Sequence, residues 1–245
     1  MEMNNSTSFT RDIAIQTMQN EVRLNAAYID GDWVTIEASD SAGEHALYDP
    51  SSGEVIAITH LCNSADVESA VNAAARAYPS WSQASVNERA HYLQAISDTM
   101  EGQFDKLVGL SVLNNGKPIA EAKIDVSDAI ACYRYYANLI DAQTTWSEVT
   151  TNETGIRLLK TYAPVGICAL IVPWNFPMVT TAWKLAPALA AGCTVLLKPS
   201  EVTLLPELML GNILSAIELP KGVVNILPGA VEVGAAMTSH PFINK

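Results

Sequence analysis

Three short groups of residues in this chain have the types and spacings that chemistry uses. The first is Val165-Gly166-Ile167-Cys168-Ala169-Leu170-Ile171-Val172-Pro173-Trp174-Asn175-Phe176-Pro177, an apolar run that stops at a Pro-Trp-Asn-Phe-Pro turn and presents one uncharged amide, Asn175. An amide N–H stabilises a developing oxyanion without competing for protons, and one such donor is worth ~2.7–4 kcal/mol where it has been removed. Asn is also an ordinary turn residue, because it tolerates unusual backbone angles. The second group is Lys198 and Glu201, three residues apart, leaving the apolar Leu196-Leu197. On a surface such a pair is worth under ~1 kcal/mol; at the C-terminal end of a parallel strand it stands where ligands collect. The third is Leu227-Pro228-Gly229-Ala230-Val231-Glu232-Val233-Gly234, where Gly229 and Gly234 either form a plain turn or let backbone approach a phosphate near a helix N-terminus.

A fourth pattern follows the Pro-Trp-Asn-Phe-Pro turn. Phe176, Thr180 and Trp183 share one face at helical spacing, with Lys184 beside them. Such a stripe is more often core than pocket. Cysteines stand at 62, 132, 168 and 193 without a C-x-x-C pair. Cys168 and Cys193 border apolar runs and read as small core hydrophobes. The four histidines show no metal-binding spacing, so no metal is expected.

The elements that must position these groups are legible from periodicity. Apolar strands beginning near Ile167, Thr194 and Val223, with helical patterns between them, suit βαβ units in a parallel sheet. Upstream, Ser64 is expected to cap a helix whose apolar stripe is Val67, Ala70, Val71, Ala74 and Ala77, ended by Pro79. A second helix starts at Ser85 or Asn87 and its pattern continues to Asn114, where Gly116-Lys117-Pro118 breaks the chain. A further helix carries Ile130, Tyr133 and Tyr136, and Pro187 should kink the helix after Trp183. Short strands and turns begin at Ala27. The division expected is an extension, mobile or loosely docked, over 1–24; helices and short strands over 25–140; an extended polar ribbon over 141–159; and the parallel-sheet part over 160–245.

Bulk properties remove several classes of function. The 245 residues are 49% hydrophobic and 16% charged, which is globular and not disordered. A net charge of −12 argues against nucleic acid or an anionic membrane surface as partner. The acidity is local: residues 1–153 hold 8 Lys+Arg against 22 Asp+Glu, whereas residues 154–245 hold 6 against 4. The near-neutral part is where cofactor chemistry is expected. No apolar run approaches the ~18 residues that span a bilayer. Free thiols and the absence of a signal-like start fit a reducing cytoplasm.

The turn at 173–177 resembles that of the NAD(P)-dependent aldehyde dehydrogenase superfamily. The resemblance continues through Trp183-Lys184-Leu185-Ala186-Pro187-Ala188-Leu189-Ala190-Ala191-Gly192-Cys193 and Leu197-Lys198-Pro199-Ser200-Glu201, and upstream through Asn115-Gly116-Lys117-Pro118 and Arg134-Tyr135-Tyr136-Ala137. Asn114 departs from it, since that position is more often acidic in the family. The helix at 176–192 looks most like betaine-aldehyde and aminoaldehyde dehydrogenases.

The resemblance implies a three-layer α/β, parallel-sheet NAD-binding domain, present here without the catalytic domain. It implies oxidation of a small-molecule aldehyde to a carboxylic acid and a homo-oligomer in the full-length form, with the 141–159 ribbon contacting a neighbouring subunit. Asn175 would hold the oxygen of the thiohemiacetal and Lys184 would relay a proton. Ile171, Val172, Pro173, Trp174, Lys198, Ser200, Glu201, Gly229 and Gly234 would bind the cofactor, and Phe176, Thr180 and Trp183 would line the substrate channel. Glu201 would accept from the ribose 2′-hydroxyl and repel a 2′-phosphate, favouring NAD over NADP. The glycine loop is one residue shorter than usual and lacks a middle glycine. No cysteine lies in a Gly-Gln-x-Cys setting, and the Phe-Thr-Gly-Ser and Glu-Leu-Gly-Gly segments are absent, so this chain alone is expected to be inactive. A non-catalytic NAD-binding module and an interaction partner of a longer relative are the alternatives. The next strand would begin at Ile243-Asn244-Lys245, leaving an unpaired sheet edge.

Overall fold

The computed structural model describes residues 11–37, 44–141 and 146–245. In chain order these form α1 (Arg11–Glu21), β1 (Ala26–Ile29), β2 (Asp32–Thr35), β3 (His45–Asp49), β4 (Glu54–Thr59), α2 (Ser64–Trp81), α3 (Val86–Gly102), α4 (Phe104–Asn115), α5 (Ile119–Asp141), β5 (Trp146–Val149), β6 (Leu158–Thr161), β7 (Ile167–Ile171), α6 (Pro177–Ala191), β8 (Thr194–Lys198), α7 (Leu205–Ala216), β9 (Val224–Ile226) and α8 (Val231–Ser239).

The apolar runs near 167, 194 and 223 become the parallel strands β7, β8 and β9, in register Ile167↔Thr194 through Ile171↔Lys198 and Val195↔Val224 through Leu197↔Ile226. Every residue of β8 is buried, which a parallel strand covered on both faces requires. Its side chains alternate: Leu196 joins Val71 of α2 and Val233 and Met237 of α8, while Val195 and Leu197 join the larger cluster with Leu185 of α6, Leu208 of α7 and Leu93 of α3. Helices therefore cover both faces. The sheet is mixed, because β1 pairs antiparallel with both β2 and β9, giving the order β2-β1-β9-β8-β7.

Beyond β7 the sheet continues. The Asn244 N–H donates to Ile167 O at 2.9 Å and the Ala169 N–H to Lys245 O at 2.7 Å, with a parallel bridge Ile167↔Ile243. The chain thus fills β7, β8 and β9 in one direction and then returns to the far side of β7. That reversal puts a topological switch point at the C-terminal end of β7, where open α/β sheets form their ligand crevice. Residues 243–245, the start of the next strand expected from the sequence, thus pair with β7 at Ile167 and Ala169.

Several upstream expectations change. Residues 11–22 are not loosely docked: Ala14, Met18 and Val22 are buried in the main cluster, and Arg11 Nε donates to Asp49 at 2.7 Å. Residues 1–10 of that expected extension lie outside the described residues. Asn63, not Ser64, caps α2, its Oδ1 accepting from Ala65 N at 2.8 Å while Asp66 accepts from Asn63 N at 2.8 Å. Pro79 does not end α2; a proline in the last turn forfeits one hydrogen bond, and Trp81 beyond it is 2% exposed in the core. The pattern from 86 to 115 is two helices, parted at Gln103. The 141–159 ribbon is an antiparallel hairpin of β5 and β6 that runs on to Thr161, with residues 142–145 outside the described set. α6 runs through Pro187 to Ala191. No helix among the described residues is long and apolar enough to cross a membrane.

Candidate functional site

The Pro173-Trp174-Asn175 turn leaves β7 at the switch point and is held from both sides. Before it, the Val172 N–H donates to Lys198 O at 3.1 Å, tying the end of β7 to the end of β8. Within it, the Trp174 carbonyl accepts from Asn115 Nδ2 at 2.6 Å and from Thr203 Oγ1 at 3.5 Å. After it, α6 begins at Pro177, a residue suited to a first helical turn because its nitrogen has no hydrogen to leave unpaired. Phe176 cannot cap the helix, and the cap comes from α5: Asp125 Oδ1 accepts the Val179 N–H at 2.9 Å. The other Asp125 oxygen accepts from Lys117 Nζ at 3.0 Å, an ion pair with side chains 0% and 5% exposed. Asn175 itself is exposed, as are Pro173 and Trp174. An anchored turn thus presents an uncharged amide at the mouth of the crevice.

Lys198 and Glu201 lie one strand over. Lys198 is 6% exposed, so its ammonium must be paired, and its three protons are assigned: to Pro199 O at 3.0 Å, to Glu201 Oε2 at 3.4 Å and to Gly229 O. The surface-pair reading therefore fails for Lys198. Glu201 keeps 31% of its side chain exposed, and its backbone carbonyl accepts from His45 Nε2 at 2.9 Å. A half-open carboxylate backed by a buried cation is an acceptor set suited to a vicinal diol. Ser200 Oγ, by contrast, accepts the Val202 N–H at 3.4 Å and shapes the local turn.

The two glycines differ. A Cβ on Gly229 would fall 2.5 Å from Val233 Cγ2, so close packing of α8 on its own entry turn already demands glycine there. Its carbonyl, not its N–H, faces Lys198. A Cβ on Gly234 would meet the Lys198 stem at 3.6 Å and Ile171 at 3.9 Å, ordinary contact distances. Gly234, Lys198, Ile171 and Glu201 thus converge at the ends of β7 and β8. Glu232 points to solvent.

The Phe176–Thr180–Trp183 stripe is not core. Phe176 is 41% and Trp183 61% exposed, while α6 buries the opposite face through Met178, Val179, Ala182, Leu185, Ala186 and Leu189. Lys117 Nζ lies 4.2 Å from the Phe176 ring centroid. Thr180 Oγ1 is used locally, donating to Phe176 O at 2.6 Å. Lys184, exposed, reaches back across the helix to donate to Ile171 O, bridging α6 to the end of β7.

Sequence reasoning missed the residues that hold this arrangement. Asn114, 2% exposed, donates from Nδ2 to Val202 O at 3.0 Å and accepts the Leu205 N–H at Oδ1, 3.1 Å. It uses both halves of its amide to fix the loop after Glu201, and an acidic residue could not make the first bond. Lys117 and Asp125, eight residues apart, had no periodic relation that marked them as a buried pair. Glu207 is wholly buried between α6 and α7, its Oε1 accepting from Thr181 Oγ1 at 3.4 Å, and burial pushes its pKa well above the carboxylate range. Among the described residues there is no cluster of three or more metal-ligating side chains.

Residues 36–245 match the Aldehyde dehydrogenase family. Over 227 residues the chain is 37% identical to aminoaldehyde dehydrogenase 1, peroxisomal, of Pisum sativum, covering 89% of this chain and 44% of that protein. It is 36% identical over 230 residues to retinaldehyde dehydrogenase 3 of Mus musculus, covering 92% and 44%. Its fold superposes on betaine aldehyde dehydrogenase from Staphylococcus aureus, solved in complex with NAD+, with a TM-score of 0.88 and 31% identity over 95% of this chain and 46% of that chain. The chain spans about half the length of the relatives it matches.

Proposed function

The chain belongs to the aldehyde dehydrogenase family, and from that premise we propose that its residues form the dinucleotide-binding framework and the oxyanion donor of an enzyme that oxidises an aldehyde to a carboxylic acid. The observation that carries this reading is the buried Lys198 set against the half-exposed Glu201 at the sheet's switch edge. Glu201 accepts the hydroxyls of the adenosine ribose, and Lys198 holds the loop carbonyls and the carboxylate in place. The residues fit NAD better than NADP, because a 2′-phosphate would be brought against the Glu201 carboxylate. When bound, NAD supplies the acceptor for the hydride that leaves the aldehyde carbon.

Asn175 offers its side-chain N–H to the oxygen that becomes negative when a thiolate adds to the carbonyl. Lys184 keeps its ammonium at the mouth of the crevice on the Ile171 carbonyl and can pass a proton from there. The open indole of Trp183 provides a ring face for a cationic aldehyde. The exposed β5–β6 hairpin is the element we assign to contacts between subunits. Calorimetric titration of the 245-residue chain with NAD and NADP tests the reading. Binding of NAD, weaker for NADP, is expected; no heat with either, in a folded chain, would remove it.

A further inference from the structure

We propose, resting on the assignment of Glu201 to the ribose, that His45 is a positioning residue for cofactor binding. Its imidazole holds the main chain of Glu201 so that the carboxylate meets the ribose hydroxyls. His45 opens β3, 156 residues before Glu201 in the sequence, and its Nε2 lies 2.9 Å from the Glu201 carbonyl oxygen. A carbonyl only accepts, so Nε2 carries the hydrogen and the half-buried ring is the donor, as the Nε2–H tautomer or as the cation.

The loop from β8 to α7 is held carbonyl by carbonyl. Pro199 O accepts from Lys198 Nζ at 3.0 Å, Ser200 O from the Thr203 N–H at 3.1 Å, Glu201 O from His45, and Val202 O from Asn114 Nδ2 at 3.0 Å. Lys198 and Thr203 are local donors and Asn114 comes from α4. His45 alone of these donors comes from the β3–β4 hairpin, which forms a two-stranded sheet of its own. That hairpin is a firm support. At the other end of β3 the buried Asp49 accepts from Arg11 Nε at 2.7 Å and from the Ser51 N–H at 2.9 Å, and Leu47 between them is 1% exposed.

The Glu201 side chain is held less firmly than its backbone. Lys198 Nζ reaches Glu201 Oε2 only at 3.4 Å, because the same ammonium also serves the Pro199 and Gly229 carbonyls. A close charge-assisted bond runs at about 2.7–2.9 Å, so this contact leaves the carboxylate room to swing. Where it stands is then set chiefly by the main chain from which it projects, and His45 fixes that main chain. A group held in its binding position before the ligand arrives loses less freedom on binding, and the saving appears as affinity.

The test titrates the intact 245-residue chain and its His45 variants with NAD by calorimetry. His45→Ala should weaken NAD about two- to tenfold, the worth of one hydrogen bond. His45→Gln, whose amide nitrogen can stand near the place of Nε2, should recover most of that loss, and His45→Asn, one bond shorter, should not. Urea melts at unchanged m-value separate these effects from loss of fold. A hairpin anchor that served stability alone would lower the urea midpoint and leave NAD affinity at the parent value, which would overturn the proposal, as would a loss that His45→Gln fails to recover. Amide hydrogen exchange in the free chain reads the anchor without a ligand: residues 201–205 should exchange faster in His45→Ala and return to the parent rate in His45→Gln, and unchanged exchange would count against the role. A folded parent that binds no NAD removes the assignment of Glu201 itself, whereas a parent that binds it as tightly as His45→Ala removes only the role of His45.

Discussion

Asn115 Nδ2 donates to the Trp174 carbonyl at 2.6 Å, so the last residue of α4 fixes the peptide plane that leads into Asn175. Because the carbonyl and the N–H of a trans peptide point to opposite sides, pinning the Trp174 oxygen on α4 turns the Asn175 N–H away from it. The neighbouring Asn114 pins the Glu201 loop in the same way. One helix end thus sets the geometry of both halves of the crevice.

Asn114→Asp should destabilise the fold more than Asn115→Ala. The first takes the donor from the Val202 carbonyl and sets a carboxylate, at the 2% exposed position 114, against it, a cost of about 1–3 kcal/mol. The second removes a half-exposed bond worth about 0.5–1.5 kcal/mol. Urea unfolding at constant m-value measures both, and the reverse order would contradict the assignment of Asn114 as the buried clasp.

Glu201→Gln should narrow the preference for NAD over NADP. The substitution keeps an acceptor for the ribose hydroxyls but removes the charge that repels a 2′-phosphate. Titration calorimetry on the parent and the variant reads the ratio of affinities. A parent that binds both cofactors equally would remove Glu201 as the discriminating residue.

Glu207→Gln should stabilise the chain at pH 7 and leave it unchanged near pH 4. The folded state keeps Glu207 protonated, chiefly because the residue is fully buried, whereas the unfolded chain releases the proton above the ordinary value of 4.5. Stability contributed by the protonated group is therefore complete below pH 4.5 and declines as pH rises above it. A neutral amide of the same shape escapes that decline, so the variant should be the more stable of the two at pH 7. Urea melts at the two pH values decide it; a pH-independent difference would show that Glu207 is not the titrating group.

The 245 residues by themselves should not form NADH from aldehydes. Cys62 and Cys132 have raised pKa values. Cys168 and Cys193 flank the N-terminal ends of β7 and β8, the length of a strand away from Asn175, on the order of 15 Å at ~3.3 Å per residue. Absorbance at the reduced-cofactor band, followed with the purified chain and a range of aldehydes, checks this. Turnover lost in Cys193→Ala would refute it.

The sequence by itself determined the parallel sheet and the turn at its edge. Apolar runs of strand length, with helical patterns between them, leave few arrangements that bury β8 and β9 whole and most of β7, and Pro173 and Pro177 mark where β7 must stop and α6 can start. It also marked Asn175, Lys198 and Glu201, since strand ends are where a parallel sheet presents side chains to a ligand. The tertiary structure alone decided which side of the α6 stripe is buried, because a helix with Phe, Thr and Trp on one face and Met, Val and Leu on the other is apolar nearly all round. It alone placed α1 in the core and drew β1 and β2 into the sheet, through contacts between residues far apart in the chain. It alone paired Lys117 with Asp125 and fitted Asn114 around the Glu201 loop. Each of these is a bond between elements, and a local pattern carries no information about which distant group will fill a donor or an acceptor.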